Sequence, residues 1–109
     1  MPQIIRLVQG DSRPTLIVNI RDSQTDQPVD IAGCSVRLLL REVDSNAPAQ
    51  VIQGSITNGI NGDCVFQWEP QDLAIAGDFE GEVEITFPDA RVQSVFDLLY
   101  FVIREQFNE

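Results

Sequence analysis

The sequence has 109 residues, of which 43% are hydrophobic, and a formal net charge of −10 from seventeen acidic residues against seven Arg, with no Lys and no His. A chain of this length forms one domain around a single core, so residues 1–109 are expected to fold as a unit. The negative charge repels nucleic-acid backbones and anionic membranes, so neither is expected as a partner. The absence of His excludes a Ser-His-Asp or Cys-His catalytic arrangement within the chain and removes the commonest zinc ligand.

The hydrophobic pattern predicts an all-β protein. No long stretch shows helical periodicity, and extended segments recur along the chain with turn signals between them. Their number and length are typical of an immunoglobulin-like antiparallel β-sandwich of about seven strands. The predicted strands span residues 3–8, 15–21, 34–43, 51–57, 64–69, 79–87 and 92–105.

The connections between the strands carry their own signals. Gly54 lies inside the fourth predicted strand and indicates a bulged or edge strand there. Two Asn-Gly pairs within 58–64 favour a hairpin turn. The segment 70–78 is expected to form a single short helical turn before Gly77.

A strict alternation marks the strand at 79–87. Glu80, Glu82 and Glu84 occupy every second position, and apolar or small residues occupy the others. A period of two places the two sets on opposite faces, so the glutamates are expected to form a stripe that points away from the core. The stripe is predicted to be a solvated surface and a candidate partner interface. Alternation in this strand and in the strand at 64–69 predicts these core residues: Phe66, Trp68, Phe79, Val83 and Ile85.

The last predicted strand breaks the alternation. From residue 98 to 103 both parities are apolar, whereas Asp97 marks an outward position just before. Either a bulge near Asp97 switches the parity and returns these side chains to the core, or both faces are covered and one of them contacts a partner. The second alternative predicts a partner interface at Leu99, Phe101 and Ile103.

The two cysteines are predicted to be core residues. Cys34 and Cys64 share parity with the apolar residues of their strands, so both are expected to point inward. A cross-core disulfide is possible if the two strands face each other. The N-terminal segment 1–11 lacks the pattern of a secretory signal, which favours the reduced form.

Metal binding and catalysis are not expected, and no cofactor is predicted. Asp22, Asp26 and Asp30 recur at intervals of four, and Asp63 lies elsewhere, but the spacing of a calcium loop is absent. Paired carboxylates for glycoside hydrolysis would have to face each other across a groove. The acidic residues of this chain are instead predicted on turns and on one flat strand.

Several residues have the chemistry of structural turns. Aspartates in turns accept hydrogen bonds from nearby backbone N–H groups, and glycines allow a positive φ. The residues assigned to such turns are Asp11, Asp30, Gly33, Asp72 and Gly77.

Three short motifs resemble the immunoglobulin-like N-terminal domain of the phage baseplate upper protein family and its small single-domain relatives in tailed-phage virions. They are the opening VQGD, the PVDIAG element at 28–33, and the W-x-P-x-D-x-x-x-A-G-x-F element at 68–79. The resemblance covers roughly residues 4–103. The matching residues are Gln9, Gly10, Asp11, Pro28, Val29, Asp30, Gly33, Trp68, Asp72, Gly77 and Phe79.

The resemblance implies a non-enzymatic virion component, such as a tail or baseplate accessory, an adaptor or a capsid-surface protein. Its expected partners are other virion proteins, including copies of itself, and its expected locations are the virion and, during assembly, the host cytoplasm. The family's larger members continue into a receptor-distal region, for which this chain is not expected to have room. The alternative function is a carbohydrate- or host-surface-binding β-sandwich module, for which Tyr100, Phe101 and Phe107 are the candidate exposed aromatic residues.

Overall fold

The structure, a computed structural model, describes residues 4–47, 49–95 and 97–107, and these ranges contain eight β-strands and one 3₁₀ helix. The all-β prediction is confirmed, and so is the short helical turn after the fifth strand. Within the described ranges, no helix is long and apolar enough to cross a membrane. The elements are β1 (Ile4–Val8), β2 (Leu16–Asn19), β3 (Ser35–Glu42), β4 (Gln50–Asn58), β5 (Asp63–Phe66), the 3₁₀ helix (Pro70–Leu73), β6 (Gly77–Thr86), β7 (Val92–Ser94) and β8 (Leu99–Arg104).

The strands form one curled sheet in the order β1-β8-β6-β3-β4-β5-β2, with β7 paired to β6. We call β1, β8, β6, β3 and the first half of β4, together with β7, the larger sheet; the second half of β4, β5 and β2 form the smaller sheet. One pair departs from the antiparallel pattern, because β1 and β8 run parallel in a register that joins Ile4 to Tyr100 and Val8 to Arg104.

β4 links the two sheets at Gly54. Its residues 50–53 pair with β3, and its residues from Gly54 onward pair with β5. A Cβ atom at Gly54 would lie 2.6 Å from the ring of Phe66, so glycine permits the close approach. β4 is bulged, as the sequence indicates, with a register shift between Ile56 and Asn58, but it does not lie at an edge of the sheet.

The core lies between the two sheets and contains all five residues that the alternation predicts. Trp68 is 3% exposed, its indole N–H donates to the Pro14 carbonyl at 3.0 Å, and its ring meets Phe101 edge to face at a centroid distance of 5.9 Å. Edge-to-face packing of aromatic rings is a favoured arrangement. The buried residues are Leu7, Leu16, Ile20, Ile31, Val36, Leu38, Leu40, Ile52, Cys64, Phe66, Trp68, Leu73, Phe79, Val83, Ile85, Phe101 and Ile103.

The last predicted strand is interrupted, and the interruption decides where its apolar residues lie. β6 pairs with both pieces: Glu84 lies opposite Ser94 in β7, and Gly81 lies opposite Leu99 in β8. Between these two points β6 advances three residues (84 − 81), whereas the facing chain advances five (99 − 94). The two extra residues make a bulge-like break near Asp97.

The prediction of a partner interface at Leu99, Phe101 and Ile103 is wrong. Phe101 is 1% exposed and Ile103 is 2% exposed, and Leu99 is half-buried against the same core. The break places these side chains on the inner side of β8, where they complete the core of this chain itself. The alternative that a bulge near Asp97 returns them to the core is confirmed.

The turn aspartates act largely as the sequence predicts. Asp30 accepts the backbone N–H of Ala32 at 2.9 Å, and Asp72 accepts that of Glu69 at 2.7 Å at the start of the 3₁₀ helix. Asp11 lies in the turn after β1, where its own N–H donates to the Val8 carbonyl at 3.1 Å.

The two turn glycines, Gly33 and Gly77, have positive φ angles of 76° and 144°. Both therefore adopt a backbone conformation that side chains disfavour.

Both cysteines are free thiols, Cys64 fully buried and Cys34 half-buried against the core. Burial raises the pKa of the Cys64 thiol from 9.0 to about 11, and the neighbouring Asp63 carboxylate adds to the effect. Burial and the carboxylates of Asp30 and Asp89 also raise the pKa of Cys34.

The buried thiol is expected to make stability fall at high pH. The unfolded chain releases the Cys64 proton near pH 9.0, whereas the folded chain holds it to about pH 11. Between these values the folded state binds more protons, so the free energy of unfolding should decrease as the pH rises. Urea titrations across this range test the effect, with Cys64→Ala as the variant that should flatten the dependence. A slope unchanged in that variant would contradict the assignment.

Candidate functional site: the outer face of the larger sheet

The candidate site is the outer face, which we define as the surface of the larger sheet that points away from the core. Its centre is β6, which presents Asp78, Glu80, Glu82 and Glu84. The glutamate stripe thus points outward as predicted. It is not freely solvated, however, because the Glu80 side chain is only 19% exposed and that of Glu84 only 14%.

Two of the four carboxylates are ion-paired within the chain. Arg41 lies opposite Glu80 and Arg37 opposite Glu84 in the β3–β6 register, and the Nε–Oε1 distances are 3.2 and 2.6 Å. Cross-strand pairs of opposite charge stabilise a sheet by about 0.2–1 kcal/mol each. The sequence shows both the arginines and the glutamates, but pairing them requires the register of two strands far apart in the chain.

The other two carboxylates have apolar residues opposite them instead of arginines. Glu82 lies opposite Leu39 and accepts a hydrogen bond from the Ser94 hydroxyl at 3.3 Å. Asp78 lies opposite Val102 on β8, and on its other side the Val43 N–H donates to the Asp78 carbonyl at 3.0 Å. Neither carboxylate forms an ion pair with any residue that the structure describes.

Each of these two carboxylates borders a shallow groove. The first groove, of about 350 Å³, contains Asp78 together with Ile4, Val43, Tyr100 and Val102. Three of its apolar residues are substantially exposed: Ile4 at 44%, Val43 at 41% and Val102 at 38%.

The second groove, of about 140 Å³, contains Glu82 with Leu39, Ala49 and Leu98. The Glu80–Arg41 ion pair borders it on the side of the first groove. Sequence reasoning missed both grooves, because Asp78 precedes the alternating stretch and because each groove joins residues that lie far apart in the chain.

The three aromatic residues predicted as sugar-binding candidates do not form a platform on this face. Phe101 is buried, and Tyr100 is half-buried in the first groove. Phe107 is 86% exposed and lies beneath the Arg104 guanidinium, 5.1 Å from it. Carbohydrate modules expose flat aromatic surfaces, and of the three predicted candidates only Phe107 is well exposed.

A polar cluster lies next to the hairpin between β4 and β5. Asp63 accepts hydrogen bonds from the side chains of Asn61 and Asn19, at 3.0 and 2.7 Å. These bonds, with a smaller contribution from the charge of Arg21, hold the pKa of Asp63 below its usual value. The cluster fixes the hairpin against β2.

The aspartates of the 22–33 segment serve turns. Asp22 accepts the backbone N–H groups of Gln24 and Thr25, at 2.8 and 3.1 Å, and Asp30 caps its own turn. Across residues 4–47, 49–95 and 97–107, no three acidic or thiol side chains converge closely enough to hold a metal ion.

We expect folding to be independent of metal. Because no three acidic or thiol side chains of the described residues converge on one point, a cation would find few oxygens to bind in the folded state. Thermal melts with excess chelator and with millimolar calcium should coincide. A large calcium-dependent rise in Tm would contradict this, since a ligand stabilises the state that binds it.

The fold is that of an all-β sandwich domain known from a phage protein. The chain is similar to a solved structure described as the N-terminal domain of phage TP901-1 ORF48, with a TM-score of 0.65 and 13% sequence identity over 94% of this chain and 85% of that chain. At this identity the similarity concerns the fold. No family model matches the chain, and no curated protein matches it.

Proposed function

We propose that the chain is a non-enzymatic structural component of a tailed-phage virion that acts through protein–protein contacts. The observation that carries the proposal is the fold similarity to a phage domain over 94% of this chain. The motif resemblance to baseplate upper proteins supports the same class of function. A tail or baseplate accessory, an adaptor and a capsid-surface protein are the specific roles that fit.

The motif residues support a structural role by what they contact. Trp68 fills the core, and Asp30 and Asp72 hold turns. These residues stabilise the domain, so contacts with a partner would be made by other residues on its surface. A family of such domains can therefore share the motifs while each member contacts a different neighbour.

The partners we propose are other virion proteins, including copies of this chain, with no nucleic acid and no membrane. A net charge of −10 disfavours both polyanions and anionic lipid surfaces. The proposed location is the virion, preceded by the host cytoplasm during assembly.

Particle analysis tests the proposal. Phage particles from the source of this chain are purified by density gradient and probed with an antibody against it, and the copy number is measured by quantitative mass spectrometry. We expect the chain to co-purify with intact particles at a fixed stoichiometry.

Absence of the chain from intact particles would contradict the proposal. Specific and saturable binding of the isolated chain on a glycan array would favour the carbohydrate-binding alternative instead. Both measurements use the full chain.

A further inference from the structure

We infer that the outer face docks a partner segment that carries two Lys or Arg side chains about 13 Å apart, one for Asp78 in the first groove and one for Glu82 in the second. The spacing follows from β6, because the two residues lie four positions apart on one strand, which rises about 3.3 Å per residue. This inference rests on the proposed function, since it names the chemistry of the partner surface.

Along β6, outward carboxylates that have an arginine partner alternate with outward carboxylates that have none among the described residues. Glu80 and Glu84 face Arg41 and Arg37, whereas Asp78 and Glu82 face Val102 and Leu39. The positions without arginines therefore recur at every second outward position of β6. A Lys or Arg of another molecule could pair with Asp78 or Glu82, as the arginines of β3 pair with Glu80 and Glu84.

The shape of the grooves fits the side chains of Lys and Arg. These side chains pack their methylene stems on apolar surface while keeping the charged end on a polar group. In the first groove a stem would lie against Val43 and Val102, with Asp78 between them; in the second it would lie against Leu39 and Leu98, beside Glu82. The Tyr100 ring adds an aromatic surface that a cation favours.

Electrostatics argue for a basic partner surface over a second outer face of the same chain. Two outer faces placed against each other would bring β6 carboxylates together, and each chain carries a net charge of −10. Like charges across an interface disfavour association, whereas complementary charge steers and orients it. Copies of this chain would therefore have to meet through a different surface.

A pair of synthetic peptides tests the spacing on the isolated chain. The end-capped peptide SRTSTRS places its two arginines four residues apart, and the control STRSRTS has the same composition with the arginines two apart. Both are titrated into ¹⁵N-labelled protein and followed by NMR. We expect weak binding with shifts centred on β6 and β8, and an affinity about two- to fivefold higher for the wider spacing, as one further exposed ion pair would provide.

Charge-neutralising variants locate the binding. Asp78→Asn and Glu82→Gln should each remove most of the difference between the two peptides. Asp26→Asn makes the same change in net charge at an exposed turn of the 22–33 segment and should leave the difference intact.

The inference is overturned if the peptides bind equally, if the shifts spread over the acidic surface as a whole, or if Asp26→Asn acts as strongly as Asp78→Asn. Because the titration needs no particle, these outcomes are independent of whether the chain co-purifies with virions. A chain missing from particles would overturn the proposed function, while the titration would still report on the grooves.

Discussion

Replacing Phe101 by Ala is expected to lower the free energy of unfolding by about 3–5 kcal/mol, the range for a buried aromatic residue. Phe101 is 1% exposed and packs edge to face on Trp68. Its ring also fills the space that Gly81 leaves open, since a Cβ atom at Gly81 would lie 2.9 Å from the ring. Truncation would therefore remove apolar contacts and leave a cavity at the centre of the core. Urea unfolding followed by Trp68 fluorescence measures the change.

The neighbouring residue provides the control. Val102 lies one position further along β8 on the outer face and is 38% exposed, so Val102→Ala should cost less than about 1 kcal/mol. Similar losses for the two variants would contradict the inward orientation of Phe101. If Phe101→Ala does not fold at all, Phe101→Leu should still fold with a smaller loss and preserve the comparison.

Replacing Gly62 by Ala is the second change for which we expect a large effect, a loss of at least about 3 kcal/mol, the scale of severe backbone and packing defects. Gly62 has a φ of +78°, and a Cβ atom there would lie 2.5 Å from the carbonyl oxygen of Ile20. The contacted oxygen belongs to the backbone, so it cannot move aside as the end of a flexible side chain could. The carbonyl of Gly62 also accepts the Ile20 N–H at 2.8 Å, so relief of the clash would break a bond that joins the hairpin to β2.

Gly10→Ala separates the clash from the backbone strain. Gly10 has nearly the same φ, +80°, but a Cβ atom there would meet its nearest neighbour, a side-chain oxygen of Gln106, at an ordinary 3.6 Å. Only the left-handed conformation should be penalised, at roughly 1–2 kcal/mol. The difference between the two variants in Tm and in urea midpoint then measures the crowding at Gly62. Equal losses at the two positions would show that the close approach to Ile20 is not maintained.

Local patterns in the sequence predict the strands and the core well. The alternation in 79–87 predicts correctly which side of β6 is buried. A strand with one buried and one solvent-exposed face shows a period-two pattern in its own sequence, whichever strands it pairs with. Asp30 and Asp72 are predicted correctly as turn residues because their hydrogen bonds reach only two or three residues along the chain.

Features that depend on long-range register are not predictable from the same patterns. The break near Asp97 determines that Phe101 points into the core. The sequence alone does not reveal this, because a run that is apolar on both parities fits a buried strand and a partner interface equally well. The Arg37–Glu84 pair joins residues 47 positions apart, so nothing local links them. The parallel pairing of β1 with β8 likewise joins the two ends of the described chain.

The candidate site likewise combines features that local sequence patterns predict with features that depend on long-range register. The period-two pattern of the sequence reveals the glutamate stripe but does not distinguish its three members. The structure separates Glu82 from Glu80 and Glu84, because only the register shows that Leu39 and not an arginine lies opposite it. Asp78 is also recognised as part of the site only from the register, which places it between Val102 on β8 and Val43.

The central claim is that this domain is a virion building block whose outer face contacts a neighbouring protein. Cryo-electron microscopy of intact particles from the source of this chain, at a resolution that places side chains, tests it most directly. We expect density for the domain at a fixed position, with Asp78 and Glu82 covered by basic side chains of a neighbour. Particles without the domain, or a domain whose outer face is turned to solvent while another surface makes the contact, would contradict the claim.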